Sequence, residues 1–134
     1  MGASMSSRIL NLLLWAGVAY FCCMAIAHFF GIKLPILFVY YDTPYYAYQD
    51  KIIAVVAYIC LFASAARSPE AVFAALIAIW VTVAGLCAVN LSDALQSVLS
   101  GKSTLVYWLQ TAAIAIYALC LTVFWRQSRY SASH

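Results

Sequence analysis

Few side chains in this sequence can do chemistry, and those that can gather at one depth of the chain's apolar segments. His28 lies about 20 residues into the first apolar segment, and Gln49 and Asp50 open the second. Asn90 and Asp93 stand at i and i+3 near the end of the third, a spacing that places them on one face of a continuous helix. Lys102 precedes the fourth segment, where Tyr107, Gln110, Thr111 and Tyr117 share one helical side. Ionisable groups inside apolar spans are costly to hold there and point to function by default. A histidine beside Asp50 or Asp93 is a proton acceptor or a ligand-binding group in waiting. The candidate ligand-binding cluster is therefore His28, Gln49, Asp50, Asn90, Asp93, Tyr107 and Gln110. The competing reading is a network of interhelical hydrogen bonds that fixes packing, each worth ~0.6–2 kcal/mol.

Several chemistries fail on ligand count. A bis-histidine haem needs a second histidine within a span, and the other histidine, His134, sits in the tail. Zinc needs three or four ligands at metal spacing, and no such spacing occurs, so neither a metal nor a cofactor is expected. Ser64, Ser92 and Ser97 lack a G-x-S-x-G elbow. A secondary transporter is expected to show broken helices or an internal repeat, and the sequence has neither sign. The five cysteines, Cys22, Cys23, Cys60, Cys87 and Cys120, all fall in apolar runs and read as small hydrophobes.

The elements that would carry these residues follow from composition. Of 134 residues, 67% are hydrophobic and 8% charged, with a mean hydropathy of +0.96. Soluble domains are ~25% charged, so a chain this poor in charge needs lipid as its solvent. The net charge of +3 is scattered, without a basic run, and nucleic acid is set aside as a partner. The charge-free stretches between Arg8 and Lys33, Glu70 and Asp93, and Lys102 and Arg126 each exceed 20 residues, enough for a helix to cross a ~30 Å hydrocarbon core. The second segment is uncharged only between Lys51 and Arg67. An Asp42-Thr43 cap followed by Pro44 at the first helical position lengthens it to a full span. Arg67-Ser68-Pro69-Glu70 reads as a stop followed at once by a new start. The expected fold is all-α, a single domain over residues 1–134 with four transmembrane helices in an antiparallel bundle, at about 9–30, 44–66, 69–99 and 104–125. Ser103 or Thr104 is the expected cap of the fourth helix, and residues 1–7 and 127–134 read as flexible tails.

Two further segments bear on function. Ala25-Ile26-Ala27 fits a signal-peptidase site after Arg8 and an apolar stretch, but the apolar run continues into Phe29-Phe30, as a full span requires. Residues 31–43, the outer connection, are apolar and aromatic where connections are ordinarily polar. They suit an interfacial anchor, a lid over the bundle mouth, or a contact with another membrane subunit. Tyr40, Tyr41, Tyr45, Tyr46 and Tyr48 fit an interfacial aromatic belt. With four crossings, one side carries Arg8, Arg67, Arg126 and Arg129 and the other Lys33, Lys51 and Lys102. The positive-inside rule then puts both termini in the cytoplasm.

The stretch Leu34-Pro35 through Tyr48-Gln49-Asp50-Lys51-Ile52-Ile53 resembles small uncharacterised bacterial four-helix membrane proteins, and the layout is similar to DoxX-type four-helix families. The resemblance implies a bacterial inner-membrane location and assigns no activity and no functional residue. With no catalytic motif, the expectation is an accessory or structural subunit, or a binder of a lipophilic small molecule, in contact with the bilayer and with a further membrane subunit or a second copy of itself. The alternative is a small membrane enzyme with His28 as acid or base, oriented by Asp50 or Asp93.

Overall fold

A serine sets the first boundary. In the computed structural model, which describes residues 4–30, 45–93 and 103–133 and the side chains of 4–23, 26, 54–93 and 103–133, helix α1 spans Met5–Phe30. Its start precedes the expected residue 9 because Ser4 caps it. The Ser4 Oγ accepts from the Ser7 N–H at 3.2 Å, and its carbonyl accepts from Arg8 N–H at 3.0 Å. Helix α2 spans Tyr45–Arg67 and closes with Arg67 in its last turn, where a cation complements the helix dipole. The expected Asp42-Thr43-Pro44 start and the connection 31–43 lie outside the described residues.

The sharp break after Arg67 is present. Ser68 is extended (φ −133°, ψ 118°) and Pro69–Ala71 form one 3₁₀ turn that leads into α3, Val72–Asn90. The Ser68 side chain makes no cap bond to the backbone and donates instead to the Glu70 carboxylate. Helix α3 ends at Asn90, not near residue 99 as expected, with a turn at Leu91. The Ser92 N–H and hydroxyl both donate to the Val89 carbonyl, at 3.0 and 2.7 Å. A serine that offers the backbone a local partner competes with helix continuation. Helix α4 spans Leu105–Ala132, with the Leu105 N–H donating to Ser103 Oγ at 3.2 Å and no side-chain bond from Thr104. It runs through most of the segment expected as a tail. Ser128 and Ser131 hydroxyls donate back to the Trp125 and Gln127 carbonyls, and Arg129 lies over Trp125.

Among the described residues the protein is thus all-helical, with four helices beside the 3₁₀ turn. Three of them are long and apolar enough to cross a membrane, while the apolar part of α2, Ala54–Arg67, is shorter. Only 22%, 28% and 22% of the three candidate spans is buried within the protein. Most of their apolar surface, including Leu12, Val81 and Ile116, faces outward, as for helices whose solvent is lipid.

The helices pack in a ring, α1 on α2, α2 on α3, α3 on α4 and α4 on α1. Each supplies one fully buried large apolar side chain to the centre: Leu14, Phe62, Ile79 and Leu121. Each interface also carries a side-chain hydrogen bond. Asn11 Nδ2 donates to the Ala66 carbonyl at 2.7 Å, and Tyr58 Oη to the Ala78 carbonyl at 3.0 Å, beside the Thr82 hydroxyl. Trp80 Nε1 donates to Thr122 Oγ1 at 3.0 Å, and Tyr117 Oη to the Leu13 carbonyl at 2.8 Å. Lipid tails are as apolar as leucine, so such bonds and close packing, not apolar burial, hold membrane helices together. All five cysteines are free thiols.

Candidate functional site

The sequence-derived cluster meets the structure unevenly. His28 falls on α1, and Gln49 and Asp50 on α2, but their side chains lie outside the described residues. Asn90 and Gln110 are buried, 3% and 1% exposed. Asn90 Nδ2 donates to Thr111 Oγ1 at 2.8 Å, and the Thr111 hydroxyl donates to the Tyr107 carbonyl at 2.9 Å. Asn90, Tyr107 and Thr111 therefore form one relay that ties the end of α3 to the start of α4, with Gln110 buried beside it in sequence. Asp93 is exposed, beyond the turn at Leu91. The end of α3 at Asn90 removes the helical i, i+3 relation on which its alignment with Asn90 was argued. Among the described residues no group of three His, Cys, Asp or Glu side chains could hold a metal.

Two features stand away from that cluster. Beside the ring's centre, residues of α1, α3 and α4 line an apolar groove of about 220 Å³. Small residues make the space: Ala16 and Gly17 on α1 and Ala113 on α4. Tyr20, Phe21, Ile79, Ile114 and Tyr117 supply its walls. The aromatic walls continue inward as a column. The Phe21 ring stacks on Tyr58 at 5.1 Å and meets Phe62 edge-on at 5.4 Å, and Phe62 stacks on Tyr117 at 6.2 Å. Offset and edge-on pairs of this kind add about 0.5–1.5 kcal/mol each beyond burial. The groove is thus backed by packed aromatic rings on its inner side, and Ala16 and Ala113 on its rim are exposed.

The second feature is a cleft of about 680 Å³ where the start of α1, the α2–α3 turn and the end of α4 meet. Arg67 and Arg129 line it, with Ser7, Asn11, Ser68 and Glu70. The Arg67 guanidinium lies 5.9 Å from the Trp15 ring centroid, and that of Arg129 lies 5.2 Å from Trp125. Trp125 also packs on Phe73 at 5.9 Å.

Sequence reasoning placed Arg8, Arg67, Arg126 and Arg129 at one end but used them only for orientation. The convergence of Arg67 and Arg129 on a cleft depends on α4 continuing to Ala132, where the sequence reading placed a tail. The groove had one legible sign, the adjacent small residues Ala16 and Gly17 directly after Leu12-Leu13-Leu14-Trp15.

Comparison with protein-family models, curated proteins and solved structures finds no match for this chain. The groove, the relay and the cleft are accordingly interpreted on their own chemistry.

Proposed function

We propose that this chain is a non-catalytic integral membrane protein that crosses the bilayer four times and holds a lipophilic small molecule in the groove between α1 and α4. The observation that carries the reading is the groove itself: small residues on facing helices, aromatic walls, and exposed Ala16 and Ala113 at its mouth. At about 220 Å³ it is smaller than the ~300–1,000 Å³ of pockets that enclose drug-sized ligands. Its occupant is a molecule that inserts a flat ring or a short branched segment between Tyr20, Phe21 and Tyr117 while the rest lies among the acyl chains.

The finer features of the proposal follow the charges. Four arginines at the end of the bundle that carries both tails put that end in the cytoplasm, and the DoxX-like layout favours a bacterial inner membrane. The fourth crossing is α2, whose 23 residues reach ~34 Å at 1.5 Å per residue. The outward apolar faces leave room for a second subunit or a second copy of the chain.

Gentle detergent extraction followed by native mass spectrometry tests the reading. The wild-type protein should carry a lipophile of defined mass, and the Ala113→Trp variant, which fills the groove from α4, should have lost it. Equal occupancy in both proteins, or none in the wild type, would overturn the proposal. The same spectra report any stoichiometric partner.

A further inference from the structure

The arginine-lined cleft is independent of the groove and lies at the opposite kind of surface, polar where the groove is apolar. We propose that it holds the phosphate of an anionic membrane phospholipid, drawn from the leaflet that this end of the bundle faces. The inference needs the membrane setting of the chain and not the groove's occupancy.

Three observations carry it. First, both guanidiniums lie against an indole ring. Arg67 rests over Trp15 and Arg129 over Trp125. A guanidinium anchored by its face keeps its N–H edges for an anion, and those edges match two phosphate oxygens at once. Second, the charge at this end is one-sided. Arg8, Arg67, Arg126 and Arg129 stand at this end against one acidic side chain, Glu70, which accepts hydrogen bonds from the Ser68 hydroxyl and its own backbone N–H. Third, the cleft is amphipathic in the sense a lipid requires. Its polar rim of Ser7, Asn11 and Ser128 gives way to Leu10, Leu14 and Val72, all three of them buried core residues. A free phosphate has no use for that apolar floor, whereas a glycerol backbone and the first methylenes of an acyl chain do. Trp15 and Trp125 belong at the same depth, since tryptophan favours the headgroup level of a bilayer.

The test uses the full-length protein in nanodiscs of phosphatidylcholine with a minor fraction of phosphatidylglycerol, and native mass spectrometry to count the lipids retained. Wild type should retain phosphatidylglycerol over phosphatidylcholine. Arg67→Gln and Arg129→Gln should each weaken that retention at least about tenfold, the loss expected for hydrogen bonds to a charged group. Arg8→Gln and Arg126→Gln, exposed at the same end but outside the cleft, should weaken it no more than about fivefold, the scale of diffuse attraction to an anionic surface. Glu70→Gln removes the opposing carboxylate and should strengthen retention. Equal losses from all four arginine variants, or no preference in the wild type, would overturn the site. Displacement of the lipid by inorganic phosphate at millimolar concentration would overturn it in favour of a free-phosphate site. Where a glutamine variant fails to fold by circular dichroism, Arg67→Lys and Arg129→Lys serve, because they keep the charge and lose the paired N–H geometry. Their retention should still fall below that of Arg8→Gln, and retention equal to wild type would likewise overturn the proposal.

Discussion

Gly17 on α1 is where Phe62 of α2 and Tyr117 of α4 approach most closely. A Cβ built there would collide with the Tyr117 hydroxyl and approach Phe62 Cδ1 to 2.9 Å. The absence of a side chain is what lets Tyr117 reach across from α4 to the Leu13 carbonyl and lets the Phe62 ring sit at the centre of the bundle, 0% exposed. Gly17→Ala brings two opposing effects. It gains ~0.5–1 kcal/mol of helix preference and loses ~1–3 kcal/mol to overpacking. The packing loss is the larger, so the variant should unfold more readily in a detergent-denaturant titration. The cause can be isolated. Tyr117→Phe alone removes one interhelical hydrogen bond, ~0.6 kcal/mol on average in membrane bundles, but it also removes the hydroxyl that the new methyl meets. The double variant should therefore be more stable than the sum of the two single effects predicts, by at least ~0.5 kcal/mol, the scale of coupling between residues in contact. Strict additivity would show that the strain lies elsewhere.

Serine-to-backbone bonds, more than apolar periodicity, mark the start of α1 and the end of α3. Ser4 brings the start of α1 forward to Met5, and Ser4→Ala should cost ~1 kcal/mol at that terminus. Hydrogen exchange of the Ser7 and Arg8 amides should accelerate in that variant while exchange around Leu14 is unchanged, and Ser4→Asp should restore protection. Unchanged exchange at Ser7 would remove Ser4 from its capping role. The same reasoning explains what could be read from the sequence. The three long charge-free runs are legible because charges mark where a span must stop, and each coincides with a helix. The end of α3 was not, since Leu91, Leu95 and Leu99 continue an apolar period that Ser92 interrupts by bonding locally to Val89. Side-chain pairing across helices was less legible still. A helix apolar all round gives no moment that tells its core face from its lipid face. Asn90 and Thr111 were conspicuous because they are polar, whereas nothing in the period pairs Tyr58 with Ala78 or Gly17 with Tyr117. The cleft escaped for a different reason: residues 127–132 look like a tail until Ser128 and Ser131 are seen bonded to the preceding turn.

The ring of four helices gives the molecule two unlike ends. At one, Asn11 bonds to the Ala66 carbonyl and Ser6 to Gln127, so the start of α1, the end of α2 and the end of α4 lie together, and the arginines with them. At the other, Asn90 and Thr111 join α3 to α4. This asymmetry makes orientation the property on which the proposed lipid cleft depends, because an arginine-lined cleft in the wrong leaflet would meet few anionic headgroups. The proposed orientation rests on Arg8, Arg67, Arg126 and Arg129 against Lys33, Lys51 and Lys102, a margin of one charge under a rule that counts Lys and Arg near the ends of spans. A margin that small should be reversible. A reporter fused after His134 should read as cytoplasmic in the wild type. Arg126→Gln with Arg129→Gln leaves two basic residues against three, and should yield a mixed or inverted population. Lys33→Gln with Lys102→Gln widens the margin to four against one and should hold the wild-type orientation. A wild-type reporter active only outside the cytoplasm would reverse the assignment and place the cleft in the other leaflet. An orientation indifferent to all four substitutions would mean that something other than charge, such as the apolar connection 31–43, sets how the bundle inserts.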